Sequence, residues 1–157
     1  MRIPMPYDCL KKPYDQLNAD ELDILSRYIN SWYVDNCDSI LKEPPFKGWL
    51  EERRDVDTVI RAFMKDYSMP DENLEPVKAM FLQMVDEKQF VRKIDKWYFD
   101  NAAIGHENMR FSFFNHKEAP VEAVDAMMNE LGFKEDLREK AADLLWRCFR
   151  EDFEMWC

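Results

Sequence analysis

Gln89–Phe114 reads QFVRKIDKWYFDNAAIGHENMRFSFF, and this stretch decides between an all-helical fold and one that carries a small sheet. Phe90, Val91, Ile94 and Trp97–Phe99 fit either a fourth helix or a helix running into a strand. Met109, Phe111 and Phe113 alternate with Arg110, Ser112 and Phe114, the period-two signature of a strand. Between them, Asp100–Asn108 holds Gly105 and two asparagines, residues suited to a turn. A β-hairpin formed by about 95–99 and 109–114 is the expectation for this stretch.

Both flanks read as helix. Asn18 followed by Glu21 forms a capping-box pattern. The apolar residues from Leu22 to Leu41 mostly keep a 3.6 period, predicting a helix over about 19–42 that Pro44-Pro45 ends. Val56, Val59, Ile60, Phe63, Met64 and Tyr67 mark a second helix. Asn73 can cap a third, with Pro76 in its first turn and Val77, Met80, Phe81, Met84 and Val85 as its stripe. Beyond the disputed stretch, Pro120 starts a helix that Gly132 closes, and Leu137–Phe149 define the last, reaching about Trp156. Pro4, Pro6 and Pro13 predict an extended lead-in over 1–17. The fold class expected is mainly α, a bundle of five or six helices in one domain over 1–157, with the hairpin as its one β element.

Composition bounds what such a domain can do. In 157 residues, 46% hydrophobic and 14% aromatic content is enough to fill a core. Three glycines, Gly48, Gly105 and Gly132, are too dispersed to build a loop that cradles phosphate. A net charge of −10 disfavours phosphate backbones and anionic lipids and suits a basic protein surface. The longest charge-free stretches, Tyr28–Val34 and Ala79–Val85, are seven residues each, against about 20 for a membrane span. Cys9, Cys37, Cys148 and Cys157 form no C-x-x-C pair, and Pro4, Pro6 and Asp8 interrupt any apolar start of signal-peptide type. Reduced thiols in the cytoplasm are expected.

Catalytic and metal chemistry find little to stand on. His106 and His116 are the only histidines, ten apart and outside any H-E-x-x-H pair, whereas zinc asks for three or four convergent ligands. No metal or cofactor is assigned. Cys9, Cys148 or Ser112 could meet a histidine in space, but no signature fixes such a pairing.

The acidic pattern says more. Three windows each contain four acids and no base: Asp15, Asp20, Glu21, Asp23; Asp66, Asp71, Glu72, Glu75; and Glu118, Glu122, Asp125, Glu130. Carboxylates at helix starts complement the positive end of the dipole, which explains the first two. The third extends past a first turn, and Glu118, Glu122 and Asp125 share one helical face opposite Val121, Val124 and Met128. That face is a candidate for meeting a basic partner. In the last helix, by contrast, Asp136–Lys140 and Asp143–Arg147 have the self-neutralising order.

Two further groups compete for a role. Lys88, Arg92, Lys93 and Lys96 oppose only Asp95 and are interleaved with Phe90, Trp97, Tyr98 and Phe99, a pattern that can hold phosphates and stack bases. A helix followed by a hairpin resembles, in architecture only, the recognition helix and wing of winged-helix proteins. The plainer reading puts these aromatics in the core. Consecutive residues on a strand face opposite sides, so at least one of Trp97, Tyr98 and Phe99 would face outward, and Phe113 and Phe114 would divide likewise. Outward aromatics in a group make interface anchors.

The function expected is that of a non-enzymatic acidic module that binds a protein partner with a basic surface and occludes or regulates it. Glu118, Glu122 and Asp125 would steer the encounter, and Trp97, Tyr98, Phe99, Phe113 and Phe114 would anchor it. In size, charge and missing chemistry the chain is similar to small acidic inhibitors of nucleic-acid-handling enzymes, such as phage anti-CRISPR or restriction-blocking proteins. The alternatives are a winged-helix-like nucleic-acid binder using Lys88, Arg92, Lys93 and Lys96, and an enzyme of unrecognised type with a pocket around His106 or His116.

Overall fold

The computed structural model describes residues 6–156, and among them the regular structure is five α-helices and short 3-10 turns, without a strand. The helices are α1 (Ala19–Cys37), α2 (Val56–Asp66), α3 (Leu74–Asn101), α4 (Val121–Leu131) and α5 (Arg138–Trp156). The chain divides into two compact units, 1–87 and 88–157, each with its own hydrophobic core. Pro4 and Cys157 fall outside the described residues.

In the first unit the lead-in is not extended where it is described: Pro6–Lys11 and Tyr14–Gln16 are 3-10 turns. The φ that proline imposes suits a 3-10 turn as well as an extended chain. α1 opens on the expected capping box, with Glu21 N–H donating to Asn18 Oδ1 at 2.8 Å and Asn18 N–H to Glu21 Oε1 at 3.1 Å. It ends at Cys37, short of the expected 42, because Phe46 N–H takes the carbonyl of Asn36 at 2.9 Å, the acceptor that Ile40 would need to continue the helix. Phe46 thereby stacks on Trp32 at 6.0 Å, while Ile40 and Leu41 are left 98% and 93% exposed. Trp32, Phe63 and Phe81, from α1, α2 and α3, meet edge to face at 5.0–6.0 Å in the middle of this core. The buried Trp32 donates its indole N–H to Asp66 at 2.8 Å.

Asn73 does not cap α3 with its side chain. Fully buried, it accepts from Tyr14 N–H at 2.8 Å and donates to the Lys12 carbonyl at 3.0 Å, tying the lead-in to the start of α3.

In the second unit the hairpin is absent. Residues 95–99 belong to α3, where Ile94, Trp97 and Tyr98 are buried at helical spacing with Ala102 just beyond the last turn. Segment 109–114 is irregular, and its N–H groups cap α3: Arg110 and Phe111 both donate to the Asn101 carbonyl, at 2.7 and 3.1 Å. The alternation read from the sequence is real in part. Phe111 stacks on Trp97 at 5.7 Å and Phe113 is buried against Tyr98 and Phe149, while Ser112 and Phe114 face outward. An extended segment laid over helices alternates in the same way as one in a sheet.

The third helix and the disputed stretch are thus one helix of 28 residues. Nothing between Pro76 and Gly105 is proline or glycine, so nothing interrupts it. α4 starts one residue after Pro120, which acts as its N-cap, and closes on Gly132 at φ 68°, a left-handed conformation that favours glycine.

Candidate functional site

The acidic face is smaller than its sequence pattern. Glu118 lies in the loop before α4, so only Glu122 and Asp125 of the three share a helical face. Asp125 is neutralised by Arg138 at 2.7 Å, and that guanidinium also engages Glu135. Glu130, from the same window, takes a bidentate pair from Arg110 at 2.9 and 3.0 Å, and the Trp97 indole N–H also reaches it. The Arg110 bond, helped by that indole, holds the Glu130 carboxyl below its ordinary value against the opposing effect of desolvation. Val121, assigned to the apolar stripe, is 67% exposed, and Ala123 takes its place beside Val124, Met127 and Met128. Glu118 and Glu122 remain exposed and have no ion-pair partner among the described residues.

The aromatic anchors divide. Trp97, Tyr98 and Phe113 are core residues, buried because α3 is helical there and because segment 109–114 folds over it. They leave little surface to a partner, although Tyr98 also lines a groove beside α5. Phe99 is 62% exposed and Phe114 41%, so each run sends one ring outward.

These two rings line different grooves beside α5. The first, about 510 Å³, brings Phe114 to Trp146, Phe149 and Phe153, with His116, Arg150 and Glu154 at its margin. Phe114 meets Phe149 and Phe153 edge to face at 5.7 and 6.1 Å. The second, about 380 Å³, brings Phe99 to Ile104, Met155 and Trp156, over Asp95, Cys148, Glu151 and Asp152. The α5 residues divide accordingly into stripes at i, i+3, i+4 and i+7: 146, 149, 150 and 153 on one side, 148, 151, 152 and 155 on the other. Sequence reading took α5 as structural and missed both. The available signal was Phe153, Met155 and Trp156, which follow Phe149 without keeping to one stripe. Arg147, moreover, faces Glu151 at 3.4 Å.

Two carboxylates that line the second groove, Asp152 and Asp95, are held by hydrogen bonds. Asp152 Oδ2 accepts from the Tyr98 hydroxyl at 2.6 Å and from Ile104 N–H at 2.9 Å. Burial, reinforced by Asp152, pushes the Tyr98 phenol well above its ordinary value. The Cys148 thiol donates to Asp95 at 3.0 Å, and burial followed by this carboxylate raises it far above a normal thiol. Trp156 rests on Gly105, its ring 3.7 Å from where a Cβ would stand.

The nucleophile candidates are not activated. The three described cysteines are free thiols. Burial raises Cys9 and pushes Cys37 up to about 12, so these thiols stay protonated near neutrality. His106 Nδ1 accepts from Asn108 N–H at 3.2 Å and its ring meets Phe99, while His116 lies at the margin of the first groove. Among the described residues no group of three or more His, Cys, Asp or Glu could hold a metal ion.

Of the aromatics interleaved with the basic group, only Phe99 stays exposed. Lys96 is paired with Asp100 at 2.7 Å, Trp97 and Tyr98 are buried, and the Phe90 ring is covered by Phe133 and Lys140. Lys88 is half-buried, and Arg92 and Lys93 are exposed on α3. Without a hairpin there is also no wing. Among the described residues no helix is long and apolar enough to cross a membrane. Comparison with protein-family models, curated proteins and solved structures finds no match to this chain.

Proposed function

We propose that the protein is a non-enzymatic acidic module that acts in the cytoplasm by covering a basic surface of another protein. The observation that carries this reading is the pair of open grooves beside α5, each lined by two exposed rings, Phe114 and Phe153 in one and Phe99 and Trp156 in the other. Grouped exposed aromatics on an otherwise charged surface are the usual material of interface anchors. The net charge of −10, with Glu118 and Glu122 left unneutralised, favours a cationic partner and a fast encounter. A surface of matching chemistry is the cationic channel of a nucleic-acid-handling enzyme, so inhibition by occlusion, of the kind small phage-borne anti-CRISPR proteins exert, is the mode proposed.

The test is capture from a lysate of the cells the protein comes from, comparing wild type, E118K/E122K and F99A/F114A. Capture should fall with salt and with E118K/E122K, and F99A/F114A should release the partner about tenfold faster. Full retention of every partner by both variants would remove the reading. Asp125 is left unchanged because its pairing with Arg138 gives it a structural role.

A further inference from the structure

We infer that the groove holding Phe99 and Trp156 takes an arginine flanked by apolar side chains, presented by a segment of the protein partner. This rests on the proposed function and specifies what one of its two grooves recognises. The groove wall is apolar: Phe99, Ile104, Met155 and Trp156. The Trp156 ring lies against Gly105, which has a φ of 78°.

The charged residues of the lining are of one sign. Asp95, Glu151 and Asp152 line the groove, and no lysine, arginine or histidine does. The donors that orient Asp95 and Asp152 are a thiol, a phenol and a backbone amide. Neutral donors fix a carboxylate in place without cancelling its charge. Glu151 pairs with Arg147 at 3.4 Å, a residue outside the lining. The other groove offers no such selection, because His116 and Arg150 oppose Glu154 at its margin.

A groove lined by exposed aromatic rings and carboxylates favours a cation that can both stack and bond in one plane. Guanidinium meets both requirements, whereas ammonium is compact and strongly hydrated. A volume of about 380 Å³ accepts one or two side chains and no folded element.

The probes are fluorescently labelled peptides added to the full chain: one alternating Arg and Leu, one alternating Glu and Leu, one alternating Arg and Ser. The Arg/Leu peptide should bind at least about tenfold more tightly than either control, since each lacks one half of the match. D95N/E151Q and W156A should each weaken it about tenfold. D20N/E72Q, whose exposed residues lie outside the groove, should leave it within about twofold once salt screens the long-range field. Near-UV circular dichroism checks that every variant keeps its aromatic packing. Equal binding of the three peptides, absence of binding, or indifference to D95N/E151Q and W156A would overturn the assignment. Loss of a captured partner with E118K/E122K but not with W156A would overturn the groove while leaving the proposed function standing. Groove-dependent peptide binding without any captured partner would do the reverse.

Discussion

Asn73 illustrates how much a single buried amide can hold. Its two bonds, to Tyr14 N–H and the Lys12 carbonyl, connect backbone 59 and 61 residues away. Asn73→Ala leaves both part-buried backbone groups without this partner and should cost about 1–3 kcal/mol, read from urea unfolding, with Asn73→Asp in between because it keeps the acceptor. Glu130 shows the electrostatic counterpart. Its carboxyl, lowered from 4.5 chiefly by Arg110, contributes stability that is fully present above 4.5 and is lost as pH falls through the lower folded value. Melting temperature should therefore drop on acidification below that point, and Glu130→Gln should flatten that part of the curve. Sequence reading found a polar residue at 73 and an acid at 130. It had no access to their partners, since Lys12, Tyr14 and Arg110 are distant along the chain and only folding selects them.

At the level of elements, segment 109–114 separates pattern from structure. Phe113 is 1% exposed and Phe114 41%. Phe113→Ala should cost about 3–5 kcal/mol in chemical unfolding, whereas Phe114→Ala should cost under about 1 kcal/mol and act on binding instead. The inward and outward sides of this segment were legible from alternation, but the hairpin was not a safe conclusion, because alternation reports which side chains are covered and not what covers them. α1, α2 and the two ends of α4 were legible because caps and apolar stripes are local. The continuity of α3 was legible too, through the absence of any proline or glycine over 77–104, but the run Trp97-Tyr98-Phe99 suggested β structure more strongly than the helical spacing of Ile94, Trp97 and Tyr98 suggested helix. The candidate site was half legible: one ring of each aromatic run had to face outward, and the stripes on α5 that complete the grooves lay in residues read as structural.

For the molecule as a whole, the two cores raise the question of cooperativity. The one-domain expectation predicts a single unfolding transition in which far-UV circular dichroism and tryptophan fluorescence coincide, and two resolved steps would make the units separate domains. Ile40 and Leu41 concern the whole chain in another way. They stand almost fully bared on an irregular connection, with Cys37 and Leu50 buried in the first core on either side. A bacterial metalloprotease that cuts ahead of large aliphatic residues should therefore nick the native chain between Ser39 and Leu41 before any other site, as mass spectrometry of a brief digest would reveal. The two fragments should stay together until denaturant is added, which makes this connection a natural place for an inserted tag.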